Sequence, residues 1–301
     1  MKSIAAVERD TGLGKDTLRV WERRYGFPLP ERDMKGERVY TAEQVAKLRL
    51  LKRLIDRGHR PGKIVHRDIG ELQALAQGNG AMDSAEAKPP LKQELVAYLE
   101  LCQLHKTEEL RHNLTQAMMR AGLQRFVLDT LAPLTIAVGD YWAQGRLEVF
   151  EEHLYSEVAQ NILRSGIASI PPVRTPADAR PRILLTTFPQ EQHALGLLMA
   201  EVMFAMEGAR CVSLGVQTPI ADIAWAAQGS DIVALSFSTA MNTNQVLEGL
   251  SELAAALSPQ TEIWAGGESP ALARCSLPAF RRVELTTVAR QIALWRSERA
   301  A

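Results

Sequence analysis

Arg182-Ile183-Leu184-Leu185-Thr186-Thr187-Phe188 is followed, two residues on, by Glu191-Gln192-His193-Ala194-Leu195-Gly196 and then by the apolar run from Leu197 to Met206. An apolar run of strand length, a polar break and a run of helix length predict a strand, a turn and a helix. A histidine in such a turn stands outside the carboxyl end of the strand, where open α/β sheets bind their ligands. Two later stretches have the same character. Asp231-Ile232-Val233-Ala234-Leu235-Ser236-Phe237-Ser238 is an apolar strand closing on two hydroxyls, and Glu262-Ile263-Trp264-Ala265-Gly266-Gly267 closes on two glycines. Both ends fall on the ligand edge of a parallel sheet. Neutral imidazole is a strong donor to a first-row transition metal, and a carboxylate two residues away can orient the ring and raise its basicity.

The spacing acidic-x-His-x-x-Gly, with Ser-x-Ser after the third strand and Gly-Gly after the fourth, resembles the signature of cobalamin-binding domains. The resemblance implies a Rossmann-like α/β domain over residues 182–301, with Glu191, His193, Gly196, Ser236, Ser238, Gly266 and Gly267 binding the cofactor. It makes His193 the metal ligand, the lower axial base on cobalt in place of benzimidazole. Glu191 would orient that ring, and Gly196, lacking a Cβ, would let the corrin or its nucleotide tail approach the backbone.

The other end of the chain is basic. Residues 1–70 carry 17 Lys and Arg against 10 Asp and Glu, and the remainder 18 against 25, although the whole chain is neutral. Such an excess is the electrostatic footprint of phosphate-backbone binding. Ile4 to Leu13 reads as a helix closed by a glycine turn, and Lys15 to Tyr25 as a second ending at Gly26, which is a helix-turn-helix pattern. Thr17-Leu18-Arg19-Val20-Trp21-Glu22-Arg23-Arg24-Tyr25-Gly26, with Arg38-Val39-Tyr40 and a long helix from Ala42, resembles the DNA-binding domain of the MerR family of transcription regulators. The resemblance implies an all-α winged helix-turn-helix head over residues 1–75. Its second helix would enter the major groove of double-stranded DNA while the wing reaches the adjacent backbone. Thr17, Arg19, Arg23, Arg24, Tyr25, Arg38 and Tyr40 are then the DNA-binding set. Arginine pairs with guanine or with phosphate, so which of them reads sequence stays open. Leu18 and Trp21, three apart on one helix face, are expected in the core. In the wing, Glu37 stands where light-sensing members often carry histidine.

Residues 76–91 are small and polar with glycine and proline and no apolar period, and read as a linker; residues 171–181 read as a second. Between them, over residues 92–170, apolar residues recur at three and four, as in Leu95, Tyr98, Leu99 and Cys102, and predict a four-helix bundle. His105 and His112, seven apart on one expected helix face, read as ordinary solvated histidines. Within the bundle, Trp142, nine intervening residues, then Glu152-His153 resembles the cap motif of the CarH/LitR type of cobalamin-dependent photoreceptor. The resemblance implies a cap over the upper face of adenosylcobalamin, with Trp142 on the adenosyl group and Glu152 and His153 beside it. In some light-sensing members a histidine directly after this tryptophan captures cobalt once the Co–C bond breaks. Here that residue is Ala143. Either His153 substitutes, or the photoproduct is aquo- or hydroxocobalamin.

Cys102, Cys211 and Cys275 have no metal-like spacing, which argues against a zinc site or a disulfide framework. No apolar run reaches the 18 to 20 residues of a membrane span and the N-terminus lacks a signal-peptide core, so a cytoplasmic protein with no membrane partner is expected. The order of parts implies, by resemblance, a transcription regulator, and specifically a repressor of light-inducible genes. Adenosylcobalamin would assemble a homo-oligomer in the dark, a tetramer built as a dimer of dimers, and light would dissociate it. Three other functions stand beside this one: a regulator sensing cobalamin level or another chromophore, a cobalamin-independent interaction module, and a corrinoid methyl-transfer module. The chain is not expected to be an enzyme, because it has no barrel-sized segment for substrate chemistry.

Overall fold

Ser3 starts the first helix, its hydroxyl accepting the Ala6 N–H, and Gly12, at φ +68°, ends it. In the computed structural model, which describes residues 1–34, 36–56, 59–78, 92–171, 180–239 and 241–300, this helix α1 (Ile4–Thr11) follows a two-residue strand β1 (Lys2–Ser3) and precedes α2 (Lys15–Tyr25), closed by Gly26. Strands β2 (Glu31–Arg32) and β3 (Arg38–Tyr40) make the wing, and the sheet order is β1-β3-β2, all antiparallel. The expected all-α head therefore also holds three short strands. β1 is two residues long and leaves no alternation to read. Helices α3 (Ala42–Asp56), α4 (Pro61–Ile64) and α5 (Ile69–Gly78) complete the head. Its core is Val7, Leu18, Trp21, Tyr40, Leu48, Leu51, Leu54, Ile64 and Leu72.

The helical block is α6 (Gln93–Gln103), α7 (Thr107–Ala121), a third rod made of α8 (Leu123–Arg125), a π-helical stretch (Phe126–Leu131) and α9 (Ala132–Ala143), and the long α10 (Val149–Ser169). Pro133 accounts for the π stretch. Proline has no N–H to give and its ring collides with the carbonyl four residues back. Widening the helix so that the Ala132 N–H donates to Val127 O, five residues back, makes room for it. The rod and α10 are tied by the Thr135 and Tyr155 hydroxyls, 2.6 Å apart.

The α/β part runs β4 (Arg182–Thr186), α11 (Leu195–Met206), β5 (Arg210–Gly215), α12 (Ile220–Ala226), β6 (Ile232–Phe237), α13 (Thr243–Ala256), β7 (Glu262–Gly267), β8 (Phe280–Arg282) and α14 (Val288–Ala300). All five strands are parallel, in the order β5-β4-β6-β7-β8. This is the Rossmann-like architecture expected from the strand ends. Ile232 to Leu235 are four consecutive buried residues, as a central parallel strand covered by helices on both faces requires. The chain leaves β4 towards β5 on one side and returns to β6 on the other, so the order reverses between β4 and β6. Ligands of such sheets bind at that reversal, beyond the carboxyl ends of the two strands.

Two compact units emerge: Met1–Pro90 with Asp140–Arg146, and Leu91–Gly139 with Leu147–Ala301. Apart from Asp140–Arg146, the helical block and the α/β part thus share one unit, packed through α10 against α11. Most of the two expected linkers, residues 79–91 and 172–179, lies outside the described residues.

Candidate functional site

A tight turn presents the histidine. The Glu191 N–H donates to Phe188 O at 3.1 Å, with Pro189 second in the turn and Gln190 third at φ +74°. This is a type II turn, in which proline fits the second place and glycine is the usual third. Thr187 pins the loop, its hydroxyl donating to Glu191 O and accepting the Gln217 N–H, both at 2.8 Å.

Glu191 is 1% exposed and fully used. Its Oε1 receives His193 Nδ1 at 2.6 Å and the His193 N–H at 3.0 Å; its Oε2 receives the Ser238 N–H at 2.7 Å and the Ser238 hydroxyl at 2.8 Å. Burial pushes this carboxyl up. The bonds from the His193 ring, the Ser238 and His193 backbones and the Ser238 hydroxyl outweigh burial and hold it below the usual carboxylate range. An ionised carboxylate only accepts, so His193 Nδ1 carries a proton, and in the neutral ring the lone pair is on Nε2. The His193 side chain is 63% exposed. An imidazole oriented from behind by a buried carboxylate and largely exposed suits a metal ligand. No group of three or more His, Cys, Asp or Glu suited to a metal ion occurs among the described residues. A single nitrogen donor of this kind would suit a cobalt held in a corrin, which supplies nitrogen ligands of its own.

The three glycines stand against protein atoms. A Cβ there would stand 2.7 Å from Ser236 Oγ. Gly196 thus makes room for a serine of β6 against the start of α11, drawing together the two sides of the chain reversal. At Gly267, φ is +109° and a Cβ would fall 2.1 Å from the Phe237 carbonyl oxygen, and a Cβ on Gly266 would meet Val283 O at 2.7 Å. These two glycines let the end of β7 close against β6 and the loop after β8.

Beside the histidine loop lies a cleft of about 590 Å³, lined by Gln192 and Ala194 of the loop, Leu198 and Glu201 of α11, Ser213 to Val216 at the end of β5, and Gln160 and Arg164 of α10. Burial pushes the Glu201 carboxyl up, and Arg164 offsets only part of this. His153, seven and eleven residues before Gln160 and Arg164, shares their stripe on α10 and is exposed. Glu152 is half-buried and accepts from Ser156 Oγ at 2.6 Å. Trp142 is half-buried near the end of α9 and falls in the unit that holds the head. Ala143 ends that helix.

On the head, Thr17, Arg19, Arg23 and Arg24 are exposed on α2. Arg19 pairs with Asp16 at 3.1 Å, and Arg24 lies over the Tyr25 ring. Arg38 is held by Glu22, Nε to Oε2 at 2.9 Å. The DNA-binding set needs one correction. Tyr40 is 0% exposed, and its hydroxyl has no hydrogen-bond partner among the described residues. It anchors the wing from inside the core and offers no surface to DNA. Sequence reasoning also passed over Val20, which is 44% exposed at the centre of the outward face of α2, opposite Leu18 and Trp21.

Residues 2–67 match the family model of MerR helix-turn-helix regulatory proteins, and residues 95–165 match that of a B12 binding domain. The chain is 31% identical to the HTH-type transcriptional repressor CarH of Myxococcus xanthus, over 85% of each chain. It is 30% identical to the repressor CarA of the same organism, over 85% of this chain and 83% of that one. The chain belongs to the CarH family of MerR-type transcriptional repressors. A monomethylamine corrinoid protein of Methanosarcina barkeri superposes on 68% of this chain and 99% of its own, with a TM-score of 0.51 at 15% identity, a likeness of fold.

In this CarH-family chain the structure brings Glu191, His193, Gly196, Ser236 and Ser238 together at the switch point, with Gly266 and Gly267 shaping the next strand end. Four cleft residues escaped the sequence reading: Gln160, Arg164, Gln192 and Glu201. Their signal was available only in part. Gln160 and Arg164 follow His153 at helical spacing, but nothing in the sequence states that this stripe faces the β5 edge.

Proposed function

We propose that this chain is a DNA-binding repressor that holds adenosylcobalamin, with His193 as lower axial ligand to cobalt, and that light changes its oligomeric state by breaking the Co–C bond. The observation that carries the reading is the Glu191–His193 pair at the β4/β6 switch point of a chain with a MerR-type head. Glu191 fixes the tautomer and raises the basicity of the ligand nitrogen. Ser236 and Ser238 hold the end of β6 beside it, and Gly266 and Gly267 keep the next strand end free of side chains. In the cap, Trp142 packs on the adenosyl group, with Glu152 and His153 beside it. The bound cofactor supplies a photolabile bond, and the protein supplies two states that differ in how the upper face is filled. On DNA, Thr17, Arg19, Arg23, Arg24 and Tyr25 line the groove-facing helix and Arg38 the wing. No described helix is long and apolar enough to cross a membrane, and we place the protein in the cytoplasm as a dark-state tetramer without enzymatic activity.

Ala143 favours a second reading, a regulator that responds to cobalamin level, because it removes the imidazole that would trap the photoproduct. Size-exclusion chromatography with an absorbance spectrum, on protein mixed with adenosylcobalamin in the dark and again after green light, separates the two. A coloured tetramer that falls apart on illumination supports the photoreceptor. Co-eluting colour with no change of size supports the level sensor, and loss of colour at the column in wild type refutes both. His193→Ala is expected to abolish both colour and assembly.

A further inference from the structure

The turn between α6 and α7 holds a histidine where glycine is the usual occupant. His105 has φ +55°. Its N–H donates to Cys102 O at 3.1 Å and the next N–H, of Lys106, to Leu101 O at 2.9 Å. These are the paired bonds of a Schellman helix end, with His105 in the left-handed position. A side chain in that position works against the backbone, so its contacts matter. His105 Nε2 lies 2.8 Å from Glu151 Oε1, across 46 residues of sequence. Glu151 is buried. Its Oε2 accepts the Glu148 N–H at 2.7 Å, and the Glu148 side chain in turn accepts the Glu151 N–H, the capping box that begins α10. The Phe150 ring stands edge-on to the imidazole, centroids 5.0 Å apart. One carboxylate therefore starts α10 and fastens the α6–α7 turn to it. His105 is solvent-exposed, as expected, and this bond gives it a partner as well.

We propose that His105 and Glu151 are positioning residues for their neighbours Glu152 and His153. Helix starts fray because their first N–H groups lack partners in the helix. A start tied through a buried carboxylate to a second helix does not. Slipping the start by one residue turns the side chains by about 100°, enough to carry His153 off the stripe it shares with Gln160 and Arg164. The inference rests on the assignment of Glu152 and His153 to the upper face of the cofactor.

The test uses the full chain with His105→Gly, His105→Gln and Glu151→Gln. His105→Gly removes the imidazole and relaxes the left-handed residue, so its melting temperature is expected to stay near that of wild type. In cofactor-free protein, amide exchange of the segment from Glu148 to Ser156 should speed up about tenfold in His105→Gly, the effect of one hydrogen bond. In protein loaded with adenosylcobalamin in the dark, the rate at which green light bleaches the cofactor should shift severalfold in His105→Gly. His105→Gln, whose amide can donate to Glu151, should restore part of both effects. Unchanged exchange in both His105→Gly and Glu151→Gln overturns the latch. Faster exchange with unchanged bleaching leaves a purely structural cap and overturns the positioning role. If wild-type protein takes up no adenosylcobalamin, the proposed function fails and the positioning role with it, while exchange still decides whether the pair holds α10.

Discussion

Glu191→Gln tests the central pair of the site with a side chain of the same shape. The carboxylate receives four hydrogen bonds, two on each oxygen. Gln has one acceptor oxygen. Turned towards His193, it keeps both bonds there in neutral form, and its amide nitrogen then faces the Ser238 N–H and hydroxyl. The hydroxyl can rotate to accept; the N–H cannot. Losing one charge-assisted bond at a buried position costs about 1.5–3 kcal/mol, and replacing charged by neutral bonds at His193 about 0.5 kcal/mol each, so about 3 kcal/mol in all is expected at pH 7. The pH dependence has a definite sign. Hydrogen bonding holds the folded carboxyl below the usual range, so the ionised form stabilises the fold above the unfolded value of about 4.3, and this contribution is lost as pH falls through the folded value. The variant lacks that dependence. Urea unfolding followed by tryptophan fluorescence, to which the buried Trp264 and Trp295 contribute, should give curves about 3 kcal/mol apart at pH 7 that converge in acid. Cobalamin affinity should fall about 10- to 100-fold, the usual effect of losing a ligand's orienting carboxylate. Equal stability at pH 7, or a gap that persists below the folded pKa, refutes the four-bond account.

Gly267→Ala places a Cβ 2.1 Å from a backbone carbonyl at φ +109° and should destabilise by at least about 3 kcal/mol, whereas Gly139→Ala in α9, with nothing within 4 Å, should be neutral or stabilising by up to about 1 kcal/mol; thermal melts decide both. Tyr40→Phe removes a buried hydroxyl that has no partner among the described residues and should leave stability equal or raised by about 1 kcal/mol, with operator affinity unchanged in a gel-shift titration. A loss of affinity would return Tyr40 to the DNA contact set. Val20, apolar among arginines on the outward face of α2, is suited to a thymine methyl. Replacing operator thymines one at a time by uracil should cost wild type affinity at one position and Val20→Ala none there, and equal losses in both proteins would exclude the contact.

The strands and their ends were legible because a fully buried parallel strand is a bare apolar run, and the residue after it must turn. His193 and Glu191 could be paired from two-residue spacing alone. The second half of the Glu191 story could not: Ser238 lies 47 residues on, and only the register that sets β4 beside β6 brings it there. Tyr40 misled because an Arg-x-Tyr in a wing looks like a contact, while strand alternation turns every second side chain inward. The bond that His105 makes was not legible for a related reason. Its partner Glu151 belongs to another helix, and the left-handed turn that aims it is usually announced by glycine. The closeness of Gly196 to Ser236 was not legible, since that serine comes from β6.

Glu191 gives the site a property that neither the histidine nor the strand ends have alone. One of its oxygens holds the ring at the end of β4 and the other holds the end of β6, so a single buried charge spans the point where the sheet order reverses. When a metal draws electron density from Nε2, the Nδ1 proton becomes more acidic and its bond to the carboxylate strengthens. That bond shares its charge with Ser238 through the other oxygen. Under the proposed ligation, a change on one side of the reversal would be felt on the other, and by linkage the order of the β6 end would feed back on the affinity of the ligand nitrogen. Ser238 would then act on the proposed axial ligand although it lies one carboxylate away from the histidine.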